Sequence, residues 1–394
     1  MIFATFIFWA LLGQWAIAAT VPSLLAPTAD EKSAKRLLEL QTKARENLEQ
    51  ALKSGGGDKR TGCSLETLRI RREWRALSKE ERRSYIKAVY CLQEKPSLID
   101  EKIVPGAKTL FDTFTTLHIN QTQTIHNNTL REECGFEGMH PYWEWGYDVY
   151  DPDSSAIMDG SDYSLGSNGA PLAGRNDTWT LWPPPPFEPT KENTNVFPAG
   201  TGGGCVHSGP FSNMTVHFGP ISRAADRHLE RMFQYRPHCL IRDVNPFIGQ
   251  HYVAFNWTVW AIEESIDAMG FQARITGDRR QGHGDYPLNK FASHGGGHYF
   301  GGGMNGAFSD FYASPQDPLF FPHHGQIDRM WTIWQWLDIE KRRNALHGTL
   351  TYENLPPSRN GTLEDIIDLT PIADPIQVRE LMDVIDGPFC YFYE

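Results

Sequence analysis

This 394-residue chain has no excess of basic charge and no closely spaced cysteine pairs. It also has no long hydrophobic run beyond its first residues. After the first 19 residues, no apolar stretch approaches the roughly 20 residues that a membrane-spanning helix needs. The formal net charge of −11 argues against a nucleic-acid partner. Neither Cys-x-x-Cys nor His-Glu-x-x-His occurs, so the usual sequence patterns of zinc sites and zinc proteases are absent.

The composition that is present points to export from the cell. Residues 1–19 resemble a secretory signal peptide, because Ile2 to Trp15 is almost wholly apolar and Ala16-Ile17-Ala18 fits a cleavage site. An N-terminal membrane anchor is the alternative. Six Asn-x-Ser/Thr sequons predict glycosylation of a secreted protein: Asn120, Asn127, Asn176, Asn213, Asn256 and Asn360.

Six cysteines remain after the signal peptide, and an even number in a secreted chain predicts three disulfide bonds. Six cysteines allow fifteen pairings, and their spacing does not choose among them.

The periodicity of apolar residues predicts a mainly α fold, with long loops joined by disulfides and few short strands. We expect an N-terminal helical and flexible segment at residues 20–60 and one domain over residues 61–394. Residues 154–216 are rich in Gly, Ser and Pro and predict a long irregular excursion. Helical patterns cover residues 30–53, 78–92, 105–126, 223–235, 257–269, 286–298 and 318–340.

Four histidines that lie close together in the sequence are the candidate metal ligands of this chain. His294 and His298 are four residues apart and share one helix face, so both can bind one metal ion. The three glycines between them cost about 3 kcal/mol of helix propensity relative to alanine, a cost that metal binding or close helix packing would offset. Adjacent helical side chains diverge by about 100°, so only His323 or His324 should face the same metal.

We take His324 as the third ligand and place His323 beside the site. Asp328 lies one turn further on, where it could orient an imidazole ring. Three neutral imidazoles suit Zn, Cu, Fe or Ni. A mononuclear hydrolase that uses His294, His298 and Asp310 is therefore one alternative.

The motif around these histidines resembles the second copper motif of tyrosinases and catechol oxidases (polyphenol oxidases). Its sequence is Ser314-Pro-x-Asp-Pro-x-Phe-x-x-His-His-x-x-Ile-Asp-Arg-x-Trp331. Pro141-Tyr-Trp-Glu-Trp145 resembles the stretch that follows the first copper site, and residues 202–211 resemble the short secreted fungal members.

The resemblance implies an antiparallel four-helix bundle around two copper ions, a type 3 copper centre in which each ion is held by three histidines. It further implies oxidation of o-diphenols or o-aminophenols to quinone products with dioxygen, and in some members hydroxylation of monophenols. His294, His298 and His324 match the second copper ligands. His118 and His126 match two ligands of the first.

The chain departs from the family pattern after His126. The expected Phe-x-x-Trp-His-Arg segment, which carries the third ligand of the first copper, is missing before Cys134. Three explanations stay open: a segment skipped in the gene model, an inactive relative that serves as a binding or accessory protein, or replacement of the ligand by His140. His207 and His251 are interpreted as structural. Gly295, which follows the first ligand of the second copper, has no side chain to hold a water, so diphenol oxidation should outweigh monophenol hydroxylation.

Overall fold

A computed structural model describes residues 30–57, 62–120, 134, 136–175, 177–181, 195–220, 229–277, 292–351, 354 and 356–394. The helices in these ranges are α1 (Glu31–Lys53), α2 (Lys79–Glu94), α3 (Leu110–Asn120), α4 (Leu229–Met232), α5 (Pro246–Tyr252), α6 (Phe255–Glu263), α7 (Ala268–Thr276), α8 (Ala292–Gly302), α9 (Phe320–Leu337) and α10 (Ile339–Arg342).

Within the described residues, the strands are short and form two-stranded pairs only. They are β1 (Arg69–Arg71), β2 (Gly169–Pro171), β3 (Thr178–Leu181), β4 (Asn195–Pro198), β5 (Gly203–Val206), β6 (Thr215–Val216), β7 (His238–Cys239), β8 (Ile366–Ile367), β9 (Ile376–Gln377) and β10 (Tyr391–Tyr393). β1 pairs with β10 in parallel, whereas β2–β5, β3–β4, β6–β7 and β8–β9 are antiparallel. The predicted mainly α fold with few short strands is confirmed.

Helix α1 belongs to the main hydrophobic core. Leu37, Leu40, Ala44, Leu48 and Leu52 recur every three or four residues, so they form one apolar stripe, and all five are buried. The stripe packs against α9 and α6. The helix predicted at residues 30–53 is present, and one of its faces packs on the rest of the chain while the opposite face is in contact with solvent.

The start of α2 was predicted correctly from the sequence, whereas α6 and the beginning of α7 were predicted as one helix. Ser78 accepts a hydrogen bond from the backbone N–H of Glu81, whose carboxylate accepts the N–H of Ser78, so α2 begins with the predicted capping box. The single helix predicted at 257–269 is divided, because the Asp267 side chain accepts the N–H of Gly270 and caps a new helix.

Helices α3, α8 and α9 carry His118 and the four clustered histidines, and α2 flanks α3. α2 packs against α3, and α8 packs against α9. α3 reaches the beginning of α9 through ring contacts: Phe111 lies 5.7 Å from Phe321, and His118 lies 5.1 Å from Phe320, measured between ring centroids. These helices form the bundle expected around the metal site.

Three disulfide bonds join distant parts of the chain, as the cysteine count predicted. They are Cys63–Cys390, Cys91–Cys134 and Cys205–Cys239. The last of them links β5 to β7. In the described part of residues 154–216, the strands are only two to four residues long. Within the described ranges, we find no helix with the length and apolar character that spanning a bilayer requires.

Candidate metal centre

The four clustered histidines come from two neighbouring helices. α8 provides His294 and His298, and α9 provides His323 and His324. One ligand nitrogen from each ring can be chosen so that all four lie within 4.8 Å of one another. The Nε2 atoms of His294 and His298 are 3.2 Å apart, so the predicted pairing of these two side chains on one helix face is confirmed.

Glycines between the two α8 histidines allow the close approach. A Cβ atom on Gly297 would lie 2.4 Å from Cε1 of His323, and one on Gly296 would lie 2.7 Å from Cβ of Tyr252. Since real Cβ atoms are not found this close to other heavy atoms, any side chain here would push α9 or the end of α5 away. The glycines therefore allow α8 to pack closely enough for both histidine pairs to meet.

Backbone carbonyls, not carboxylates, fix two of the rings. Nδ1 of His298 is 2.7 Å from the carbonyl oxygen of Phe308, and Nδ1 of His118 is 2.8 Å from that of Tyr312. A carbonyl only accepts hydrogen bonds, so each Nδ1 carries the proton and each Nε2 presents its lone pair. This is the usual orientation of a metal-binding imidazole.

Asp328 does not orient an imidazole, and that prediction is wrong. Its carboxylate accepts hydrogen bonds from Arg71 at 3.1 Å and from the Tyr391 hydroxyl at 2.7 Å, and also from the hydroxyl of Tyr393. The paired strands β1 and β10 supply these donors on that side of α9. Asp328 therefore connects α9 to this strand pair.

His323 and His324 both reach the cluster but have different surroundings. The His323 side chain is fully buried, with ring centroids of Trp145 and Phe308 at 5.2 and 5.3 Å, and neither of its nitrogens has a hydrogen-bond partner among the described residues. The His324 ring stacks on Phe320 at 4.1 Å. Its buried Nε2 also lacks a partner within the described ranges.

All of these imidazoles are neutral at ordinary pH. Burial lowers the pKa of His118 and of His294 to about 4, and a positive charge on His118 would lower the pKa of His294 further. Burial likewise takes the pKa values of His298, His323 and His324 well below the usual range. Because metal ligation needs the neutral ring, the cluster is ready to bind a metal ion without losing protons.

The segment that leads into α9 is held by an ion pair that the sequence analysis missed. Arg242 donates from Nε to Asp317 at 2.8 Å and from Nη2 at 2.6 Å, and both side chains are fully buried. Asp317 also accepts the N–H of Leu319, immediately before α9. Arg242 stands 75 positions from Asp317, so no local spacing rule could have found the pair.

Several other residues singled out from the sequence lie away from the four clustered histidines or outside the residues that the structure describes. His126, the first 19 residues, Asn127 and Asn176 are among the residues that the structure does not describe. The remaining sequon residues are exposed: Asn120, Asn213, Asn256 and Asn360.

The three further histidines named from the sequence bond to backbone carbonyl groups. The Nδ1 atoms of His140, His207 and His251 lie 2.7, 3.1 and 2.7 Å from the carbonyl oxygens of Pro141, Asn168 and Phe247 respectively. Burial lowers the pKa of His140 to about 3. None of the three belongs to the four-histidine group found in the described part of the chain.

Asp310 does not complete a hydrolase site with His294 and His298. It is not a member of the histidine group, and its carboxylate accepts the backbone N–H groups of Tyr312 and Ala313 at 3.0 and 2.9 Å. The carboxylate therefore shapes the turn that carries the carbonyl partner of His118.

Comparison with known proteins identifies the family. The common central domain of tyrosinase matches residues 121–337, more than half of the chain, and this match includes all four clustered histidines. The chain is 36% identical over 321 residues to the tyrosinase-like protein orsC of Emericella nidulans, covering 75% of this chain and 82% of that protein. It is also 36% identical over 346 residues to tyrosinase P of Aspergillus terreus, covering 82% and 91%.

A solved structure agrees with this assignment. The mutant polyphenol oxidase from Thermothelomyces thermophila superimposes with a TM-score of 0.77 and 32% sequence identity, over 91% of this chain and 98% of that one. Tyrosinases use copper, dioxygen and phenolic substrates, and the imidazole cluster has the donor chemistry that copper requires. The chain belongs to the tyrosinase family of copper-dependent oxidoreductases.

Proposed function

We propose that this protein is a secreted oxidase that converts o-diphenols or o-aminophenols to quinone products with dioxygen. The observation that carries the proposal is the buried cluster of neutral imidazoles on α8 and α9, with ligand nitrogens within 4.8 Å of one another. Unpartnered imidazole nitrogens in a buried site are costly unless something binds them. A copper ion would satisfy them and would supply electron exchange between the phenol and dioxygen.

We assign His294, His298 and His324 as the ligands of this copper. His324 is favoured over His323 because its ring stacks on Phe320 at a centroid distance of 4.1 Å, and the same Phe320 ring lies 5.1 Å from the ring of His118. His324 therefore faces the side of the cluster where His118, a proposed ligand of the first copper, lies. His323 packs instead between Trp145 and Phe308, where it supports the neighbouring rings.

The chain's own residues prepare the site. The carbonyls of Phe308 and Tyr312 hold His298 and His118 with Nε2 available. The rings of Phe308 and Phe320 pack on His298 at centroid distances of 4.9 and 5.8 Å and keep water from its face. Fixed ring orientation and exclusion of solvent are the protein's contribution to this class of cofactor chemistry.

An incomplete first copper site defines the second candidate function. We propose His118 and His126 as its two ligands, and the chain has no Trp-His-Arg motif to supply a third. A protein with only the α8–α9 copper would act as a binding or accessory protein of the same fold. The proposed signal peptide and the exposed sequons support a location outside the cell for either form.

The proposed activity is tested by counting copper and measuring oxygen uptake together. Purified protein loaded with copper should consume oxygen when catechol is added and should form the o-quinone, whereas zinc-loaded protein should not. Two coppers per chain with catechol oxidation would support the oxidase. One copper per chain without oxygen uptake would instead favour the accessory protein.

The absence of a side chain at Gly295 is expected to limit monophenol hydroxylation. Gly295→Asn would place an amide beside His294, where it could hold a water that accepts the phenol proton. We expect this variant to gain monophenol hydroxylation severalfold relative to catechol oxidation, measured as oxygen uptake with each substrate.

Gly295→Ala is the matched control, because it adds a side chain without hydrogen-bonding groups. The prediction fails if the unmodified protein oxidises a monophenol rapidly, without a lag and without added catechol.

A further inference from the structure

A cavity of about 560 Å³ lies between α2, the beginning of α3 and the segment that contains β6. None of the four clustered histidines lines it. Its volume is within the usual range of small-molecule sites, and its walls combine polar groups with aromatic and aliphatic side chains. The cavity therefore requires an explanation separate from the metal centre.

The wall contains a buried carboxylate, Asp112, of which one oxygen accepts several hydrogen bonds and the other accepts none from the described residues. Oδ2 of Asp112 accepts hydrogen bonds from Nδ1 of His217 at 2.7 Å and from the backbone and hydroxyl of Thr109 at 2.8 and 2.9 Å. The Asp112 side chain is only 5% exposed. Among the described residues, nothing donates a hydrogen bond to its Oδ1.

His217 adds a second acceptor to the same wall. Nδ1 of His217 carries the proton that is donated to Asp112, so Nε2 presents the lone pair in this tautomer. No hydrogen bond to this Nε2 is found within the described ranges, although the ring is only 15% exposed. Two acceptors on one wall call for a ligand that brings hydrogen-bond donors.

The rest of the wall selects an aromatic ligand. Phe111 and Val216 are almost completely buried and line the cavity together with Met214 and Tyr90. Methionine sulfur and aromatic rings attract one another beyond simple burial. A flat ring with a hydroxyl group matches this combination of an apolar wall and acceptor atoms.

We propose that this cavity is a second, non-catalytic site that binds a phenol through a hydrogen bond from its hydroxyl to Nε2 of His217. Asp112 fixes the tautomer of that ring, and its free Oδ1 receives a second hydroxyl when the ligand has one. The site is independent of the proposed copper ligands, since neither residue belongs to their cluster.

Equilibrium binding of resorcinol tests this proposal. Resorcinol carries two hydroxyls in the meta position, so it cannot form an o-quinone directly, and titration under nitrogen prevents oxidation. N-glycans are removed first, because the sequon residue Asn213 also lines the cavity. His217→Gln and Asp112→Asn are each expected to weaken binding at this site at least tenfold.

Two matched variants separate this site from the metal centre. His238→Ala removes a histidine of the adjacent strand that does not line the cavity, and it should leave binding unchanged. His298→Ala should leave the His217-dependent binding intact even if it removes a second resorcinol site at the copper. If the proposed function is wrong but this site exists, His217→Gln still weakens resorcinol binding, whereas His298→Ala leaves resorcinol binding unchanged.

Three outcomes would overturn the proposal. They are no detectable binding of resorcinol, equal binding in the parent and the His217→Gln protein, and equally tight binding of N-acetylglucosamine, which has hydroxyls but no aromatic ring. Thermal unfolding of Asp112→Asn is measured alongside, because Thr109 caps α3 by accepting the backbone N–H of Asp112, and the Asp112 carboxylate accepts the N–H of Thr109 in return. His217→Gln does not remove that cap, so it decides the result if the Asp112 variant is unstable.

Discussion

Replacing His298 by alanine is expected to remove one copper ion per chain and to reduce catechol oxidation more than a hundredfold. His298 has its Nδ1 fixed by the Phe308 carbonyl and its Nε2 3.2 Å from Nε2 of His294, so it is positioned as a ligand at the centre of the cluster. Loss of residues that merely orient a ligand costs about 10- to 100-fold in metal affinity or activity. Loss of the ligand itself should cost more.

Two further alanine variants give this experiment its controls. His251→Ala removes an exposed histidine that stacks on Phe247, and it should keep the full copper content and activity. His323→Ala tests the ligand assignment, because it should retain copper if His324 is the third ligand. An unchanged copper count in the His298→Ala protein would contradict the proposed metal centre.

Replacing Arg242 by alanine should destabilise the fold by about 3–5 kcal/mol, the usual result of leaving a buried charge without its partner. Asp317 would then lose both bonds from the guanidinium in a site with no exposure to water. Arg242 also donates to the carbonyl oxygens of Gly166 and Ser167, which would lose their donor. Urea unfolding followed by tryptophan fluorescence would measure the difference.

A double substitution distinguishes the ion pair from simple loss of packing. Arg242→Met combined with Asp317→Leu removes both charges and keeps much of the volume, so it should be less destabilised than Arg242→Ala. Catechol oxidation by Arg242→Ala should fall as well, because Asp317 precedes the helix that carries His323 and His324. If Arg242→Ala unfolds at the same urea concentration as the parent, the pair does not stabilise the entrance to α9.

Features determined by local spacing could be predicted from the sequence, and features determined by distant partners could not. His294 and His298 meet because four residues make about one helical turn, and Ser78 with Glu81 forms a capping box for the same kind of reason. The position of Asp328 on α9 was equally clear. Its partners were not, because Arg71 and Tyr391 are brought together only by the pairing of β1 with β10.

The histidine pair on α9 shows the same limit within one site. An angle of about 100° between adjacent residues predicts that His323 and His324 leave the helix in different directions. It does not reveal that Gly297 gives His323 room to approach α8. The contact between α8 and α9, which depends on glycine and on the packing of both helices, brings both rings into one cluster.

The Cys63–Cys390 bond joins two cysteines that are 327 positions apart, so the chain between them forms one covalent ring. A protease that cuts once anywhere inside this ring therefore opens it without releasing a fragment. The nicked protein would run as one band on a gel that preserves disulfides and would separate into two pieces after reduction. Proteolytic processing of this enzyme must accordingly be assessed on reduced samples.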